Sequence, residues 1–335
     1  MTDEAQLARR LQRLMDGYLT TQVLYAASEL GVLDALAFRP QTAAELADTA
    51  GVAEGPLRRI LRGLAIEEVS VERADGTFEL TAVGLALARL PGPLRVRGGL
   101  YFRAAAGLLD AVRTGGTAFE TAYGQPFFRY LDAEPEAQAA FEASMAGRAV
   151  AEARDVVAAY DFGPYRSIVD VGGGRGILLS AILQTVPQAT GVLLDRPDVV
   201  AQARKHLEAA GLDDRVRLVT GDFFDEVPAG GDAYLLARIL HDWDDDAAVA
   251  ILDRCRTAMT AESRLLVVDA LLPERADPDS PGAIRMDLHM LELFGSAERT
   301  GNQLTALLDR AGFTVQWIIE TPSPAGLGIL EATPR

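Results

Sequence analysis

The chain is poor in cysteine, lysine and histidine, with one, one and three residues respectively. A single cysteine, Cys255, rules out an internal disulfide framework and any cysteine-based zinc cluster. Its setting in the helix-like run AILDRCRTAM reads as a small buried apolar side chain. Lysine occurs once, at Lys205, so arginine carries nearly all the positive charge; alongside abundant alanine this is a compositional bias with no mechanism attached. Positive charge is also in overall deficit, with 32 Lys and Arg against 48 Asp and Glu and a formal net charge of -16. Such a chain repels a polyanion, which disfavours nucleic acid as its main partner. Uninterrupted apolar runs long enough to span a bilayer are missing as well. The opening MTDEAQLARRLQRLMDG is acidic where a secretory leader is basic and then apolar. The expectation is a cytoplasmic protein with no membrane partner.

What is present is length enough for more than one domain, 335 residues. Three segments are expected: a winged-helix-like dimerisation domain over 1–100, a helical linker and substrate-pocket segment over 101–160, and a cofactor-binding catalytic domain over 161–335. In the first, TAAELADTAGVAEGPLRRILRGLAIEEVSVERADGTFELTAVG reads as a capped helix, a glycine turn at Gly51, a second helix, and two short strands joined at Asp75-Gly76. That is a winged helix-turn-helix pattern, and Arg58, Arg59 and Arg62 would suit a DNA reader. Glu67, Glu68, Glu72, Asp75 and Glu79, in and around the wing, are acidic where phosphate would approach, so a dimerising or pocket-building role is favoured. In the second segment Phe127, Phe128, Phe141 and Met145 are core by default, and a substrate wall in the sharper reading.

From Arg166 onward strand-like and helix-like runs alternate. RSIVDV, TGVLLD, VRLVTG, AYLLARIL and RLLVVDALL are the early strands, and TVQWIIE with LGILEA reads as an antiparallel hairpin at a sheet edge. The fold class is α/β: a Rossmann-like, doubly wound, mostly parallel sheet, with ligands beyond the carboxyl ends of its strands. The first such end is Asp170-Val171-Gly172-Gly173-Gly174-Arg175-Gly176-Ile177. A dinucleotide fingerprint needs glycine where Ile177 stands, and a phosphate-binding P-loop needs G-K-[ST]. The acid at Asp170 is a poor neighbour for phosphate and a good one for an ammonium or sulfonium group. The turn therefore points to a cationic, phosphate-free cofactor, properties that S-adenosylmethionine has. Asp195, ending the second strand, suits a ribose diol, with helix capping as the bland alternative. Asp222 and Phe223, after the third, suit an adenine.

His241, in LLARILHDWDDDAAVAIL, falls where a strand gives way to a helix and is placed to take a proton from an attacking hydroxyl. Asp242, Asp244, Asp245 and Asp246 invite a metal reading, but caps and first-turn acids are the favoured one, so no metal is expected. His206 reads as a solvated helix position. His289, in MDLHMLELFG, is a candidate to face the substrate, and Phe127, Phe128, Phe141, Met145, Met286, Met290 and Phe294 describe a roomy apolar acceptor pocket. Asp269 and Glu298 are two carboxylates, one of which would orient His241, and Glu298 would equally serve as a helix cap.

VDVGGGRG, LLDRPDV, GDFF, LHDWDDD and ERTGNQLTALLDRAGF, in this order and spacing, resemble the small-molecule O-methyltransferases related to plant caffeic acid methyltransferases, specifically their bacterial members in aromatic natural-product biosynthesis. The resemblance spans nearly the whole chain. It implies an N-terminal dimerisation domain, hence a homodimer, and metal-free transfer from S-adenosylmethionine, with S-adenosylhomocysteine as product. It carries the cofactor role onto Asp170, Gly172, Gly174, Asp195, Arg196, Asp222, Phe223, Arg238 and Trp243, and the base role onto His241. Glu298 matches one family carboxylate; Asp269 matches a position that is often glutamate in the plant enzymes. Some relatives hydroxylate, or methylate carbon or nitrogen, and a ligand-sensing regulator is the reading from another class.

Overall fold

A computed structural model describes residues 3–335. Met1 and Thr2, which open the stretch read above for a leader, lie outside the described residues. The chain divides into two compact units: one runs to Thr114 and takes in Ala118–Gly147, the other takes Gly115–Thr117 and Arg148–Arg335. The segment 101–160 is thus divided between the two units instead of forming a piece of its own.

The first unit contains the helix-turn-helix read from the sequence. Thr42 accepts a hydrogen bond from the Glu45 backbone and Glu45 reaches back to Thr42, a capping box that starts the helix Ala43–Ala50; Gly51, at φ +66°, ends it. The next helix, Glu54–Ile66, buries Leu57, Leu61 and Leu64 at helical spacing against a core that includes Val32, Leu46 and Phe78. A three-stranded antiparallel sheet follows, with β1 (Gln41–Thr42), β2 (Ser70–Glu72) and β3 (Thr77–Leu80) in the order β1-β3-β2. The arginine face is matched by the unit's own acids: Arg62 pairs with Glu72 at 2.9 and 3.0 Å, and Arg58 with Glu54 at 2.7 Å. Phe127 is buried here and packs edge-on against Phe119 and Phe141, which makes it core of this unit. Phe128 is exposed and Met145 half-buried.

In the second unit β4 (Ser167–Val171), β5 (Thr190–Asp195), β6 (Val216–Thr220), β7 (Ala233–Ala237), β8 (Arg264–Leu272), the two-residue β9 (Arg299–Thr300), β10 (Phe313–Glu320) and β11 (Leu327–Pro334) build one sheet. Its order is β10-β11-β8-β7-β4-β5-β6, with β9 added beside β8. β4 to β8 run parallel, while β11 is antiparallel to β8 and β10 to β11. β4 pairs with β5 on one side and β7 on the other, so the chain reverses its direction of travel there and opens a crevice beyond the strand ends. Helices cover both faces, giving two buried clusters, one around Tyr234, Ile251 and Leu308 and the other around Ile168, Leu183 and Ile329. Cys255 is fully buried in the first cluster, and burial pushes its thiol up to about 12. Among the described residues no helix is long and apolar enough to cross a membrane.

Candidate active site

The glycine turn leaves β4 at the switch point. Gly172 has φ +70°, and a Cβ there would stand 2.5 Å from Ile239 Cδ1, so both its conformation and its surroundings demand glycine. Beneath the turn lies the Asp170 carboxyl, fully buried, with Oδ2 lacking a hydrogen-bond partner. A Cβ on Gly173 would come within 2.6 Å of that oxygen. Burial, reinforced by the charge of Asp195, pushes the Asp170 carboxyl up to about 7. Asp195, at the end of β5, accepts a hydrogen bond from Gly174 N at 2.8 Å on one oxygen and from Arg196 N at 2.7 Å on the other. It thus ties the turn to the neighbouring strand. The capping alternative for Asp195 falls away, since the helix Pro197–Ala209 has no side-chain cap. Arg196 itself is exposed and lies 3.8 Å from Asp198.

Beyond β6, Asp222 accepts a hydrogen bond from Phe224 N at 2.8 Å. The Phe223 ring closes on Gly172, 3.4 Å from where a Cβ would be, and meets Trp243 edge-on with centroids 6.1 Å apart. Phe224 meets the same indole at 4.7 Å. Asp170, Gly172, Asp195, Phe223 and Trp243 are therefore gathered around one crevice from four separate stretches of chain.

His241 follows β7 on a single helical turn, Leu240–Asp242. Before it, Arg238 adopts φ +59°, a left-handed conformation unusual for a side-chain-bearing residue. The imidazole is buried, and its Nδ1 lies 3.1 Å from Glu298 Oε1. A carboxylate only accepts, so Nδ1 carries the proton and Nε2 is the free basic nitrogen, 3.5 Å from Asp242 Oδ1. Arg238 Nη1 stands 3.2 Å from the same Glu298 oxygen as an ion pair without hydrogen-bond geometry. Asp269, on β8, is buried with both oxygens unpartnered. One polar atom from each of His241, Asp269 and Glu298 lies within 4.8 Å of the others. The fixed positive charge at this cluster is the Arg238 guanidinium.

Burial on its own would lower the pKa of His241, but the Glu298 hydrogen bond and the Asp269 charge outweigh it and leave the ring more basic than an ordinary imidazole. Burial works to raise Glu298, yet the His241 hydrogen bond and the Arg238 charge hold it below the usual carboxylate range. Burial pushes Asp269 up to about 7. The two acids next to His241 are thereby distinguished: Glu298 is the hydrogen-bonded partner held below the usual carboxylate range, and Asp269 is an unpartnered second acid pushed up by burial. Glu298 does not cap a helix. That role belongs to Thr300, which accepts from Gln303 N and forms a capping box for the helix Gly301–Arg310.

The remaining acids after His241 act as helix-start residues. Asp244 accepts from Ala247 N at 2.9 Å, and Asp246 pairs with Arg310 at 2.8 Å. His206 is half-buried near the end of its helix. On the helix Gly282–Leu293, His289 lies 3.0 Å from the buried Glu292, the Met286 sulfur lies 3.5 Å from Arg148 Nη1, and Met290 is buried. Phe294, just past that helix, lines a cavity of about 620 Å³ together with Asp242, Trp243, Ser296 and Glu298. One residue went unread in the sequence. Arg299, half-buried, donates to Leu240 O and Trp243 O, both at 2.7 Å, and to Asp245. Only its place after Glu298 in the ERTG stretch hinted at it.

A glycine turn at the switch point, acids on the next two strand ends and a buried imidazole after the fourth strand define a class I, S-adenosylmethionine-dependent methyltransferase. An O-methyltransferase domain model matches residues 106–314, and an O-methyltransferase dimerisation domain model matches 12–89. The chain is 41% identical, over 98% of its length and 96% of the relative, to a phenazine O-methyltransferase PhzM from Lysobacter antibioticus. It is 38% identical, over 96% and 94%, to an 8-amino-8-demethylriboflavin N,N-dimethyltransferase from Streptomyces davaonensis. Among solved structures it matches the O-methyltransferase NcsB1 from neocarzinostatin biosynthesis, in complex with S-adenosylmethionine and 2-hydroxy-5-methyl naphthoic acid. That match has a TM-score of 0.77 and 32% identity, and covers 94% of this chain and 96% of that one. The chain belongs to this family of S-adenosylmethionine-dependent O-methyltransferases.

Proposed function

We propose that the enzyme methylates a hydroxyl of an aromatic or polyketide-type natural product, with His241 as general base. The observation that carries this reading is the contact of His241 with Glu298: Oε1 stands 3.1 Å from Nδ1, and an ionised Glu298 there holds Nδ1–H and leaves Nε2 as the buried basic nitrogen. Bound S-adenosylmethionine supplies a methyl group already activated by its sulfonium charge. The residues here suit it: an unpartnered acid under a glycine turn favours a cation, and Asp195, Asp222, Phe223 and Trp243 stand around the place for a nucleoside. Nε2 takes the acceptor's hydroxyl proton as the oxygen attacks, Glu298 stabilises the imidazolium that forms, and Arg238 keeps Glu298 ionised. The aromatic and thioether side chains Phe294, Met286 and Met290 suit a flat apolar acceptor, and His289 offers it a polar contact.

Incubation with methyl-labelled S-adenosylmethionine and a panel of polycyclic phenols tests the reaction class, with label appearing on oxygen as the expected result. Replacing His241 by Ala is expected to slow transfer by about 10²- to 10⁴-fold while leaving cofactor affinity, measured by calorimetry, unchanged. Equal loss of both would make the histidine a structural group. Nitrogen as the acceptor atom is the second reading, favoured by the likeness to the riboflavin-type N,N-dimethyltransferase; label on an amine and none on a phenol would select it. We also assign the protein to homodimers through its first unit, on the strength of the matched dimerisation domain.

A further inference from the structure

We propose that Arg299 is a positioning residue for methyl transfer, clamping the turn that carries His241 from the short strand β9 that follows Glu298. The inference rests on the reading of His241 as base and goes beyond it to a residue that acts through the backbone of the His241 turn.

The turn Leu240–Asp242 has few means of holding itself. It is one turn long, it follows the left-handed Arg238, and its internal bonds, Asp242 N to Ile239 O and Trp243 N to Leu240 O, are long at 3.2 and 3.3 Å. Arg299 supplies what is lacking. Its Nη1 donates to Leu240 O at 2.7 Å and its Nη2 to Trp243 O at 2.7 Å, so the two carbonyls flanking His241 and Asp242 are held by one planar group. The same guanidinium is aligned by Asp245, which accepts from Nε at 3.1 Å and from Nη2 at 2.9 Å. The side chain is only 12% exposed, which spares these bonds most of the competition from water.

The backbone of Arg299 is fixed in turn. β9 pairs with β8 in the register Leu271 to Arg299, two residues beyond Asp269. Thr300 caps the helix that follows, and Asp287 Oδ1 accepts from Glu298 N at 2.9 Å. Two adjacent residues therefore act on one histidine: Glu298 orients the ring through Nδ1, and Arg299 sets the height and tilt of the backbone from which the ring projects. A lysine has no planar fork and cannot reach Leu240 O, Trp243 O and Asp245 together.

The test compares Arg299→Ala, Arg299→Lys and His241→Ala in the full-length protein. Readouts are kcat, KM for the acceptor, cofactor affinity by calorimetry, thermal stability, and the midpoint of the pH-rate profile. Arg299→Ala is expected to lower kcat by at least about tenfold, as displacement of a reacting group does, with cofactor affinity kept within about twofold. Its pH midpoint is expected to move down toward the ordinary imidazole value of 6.5, because a displaced ring loses its Glu298 contact. Arg299→Lys is expected to restore only part of kcat. A parent-like kcat and midpoint in Arg299→Ala overturn the role. So does a fall of kcat, cofactor affinity and stability in step, which marks a structural residue. Should the alanine variant not fold, a lysine variant with parent-like kcat and midpoint overturns it equally. Transfer unimpaired in His241→Ala overturns the base assignment and this role with it, whereas loss there and none in the Arg299 variants overturns this role alone.

Discussion

At the residue scale the chemistry turns on which acid His241 leans against, and pH makes that visible. The ring's pKa is raised on folding, so its pairing with Glu298 stabilises the fold fully below the unfolded value and is lost as pH climbs through the raised one. Under the proposed base role activity runs the other way, because only the neutral ring accepts a proton. The ascending limb of kcat/KM is therefore expected above the ordinary imidazole value of 6.5. In Glu298→Gln, which keeps the side chain's shape and removes its charge, the midpoint is expected to fall and kcat with it. A limb at or below 6.5 in the parent would contradict the raised pKa. The histidine itself was legible in the sequence from its place at a strand-to-helix junction. The division of labour between Asp269 and Glu298 was not: both are acids near predicted element ends, and only the fold puts one carboxylate against Nδ1 and leaves the other unpartnered.

At the scale of elements, the parallel strands were readable because strands buried on both faces must be nearly all apolar, as VLL of β5 and LLVV of β8 are. The antiparallel edge hairpin of β10 and β11 was equally plain. Strands of two residues, β1 and β9, have no such pattern and exist only because a neighbouring strand offers its free edge. This is why Arg299, whose position depends on β9, went unread. The glycine turn was legible as a motif, but its attachment was not. Asp195 on β5 grips the turn through Gly174 N, so the acid proposed for the cofactor's ribose also braces the glycine turn. Asp195→Ala removes a charge-assisted bond of about 1.5–3 kcal/mol, and cofactor affinity is expected to fall roughly 10- to 100-fold. Titration calorimetry measures this, and an unchanged affinity would remove Asp195 from both roles.

At the scale of the whole molecule, the first unit carries an apolar surface that its own core does not cover. Leu7, Leu11, Leu14 and Met15 on the helix Asp3–Met15 are 51–73% exposed, and Tyr18 and Leu19 at the start of the next helix are 56% and 49% exposed. The spacing from Leu7 to Leu11 to Leu14 places them on one helical face, a stripe large enough to call for a covering partner. A second copy of the chain is the partner proposed above from the matched dimerisation domain, and the stripe runs into that domain at residue 12. With a net charge of -16, two copies repel each other at long range, so association has to come from apolar burial and is expected to persist in high salt, where the repulsion is screened. Light scattering should accordingly give about twice 35.8 kDa at low and high ionic strength alike. Leu11→Glu with Leu14→Glu places charges inside the stripe and is expected to yield a folded monomer. A parent that scatters as a monomer, or a double variant that stays dimeric, would remove this face as the contact between copies.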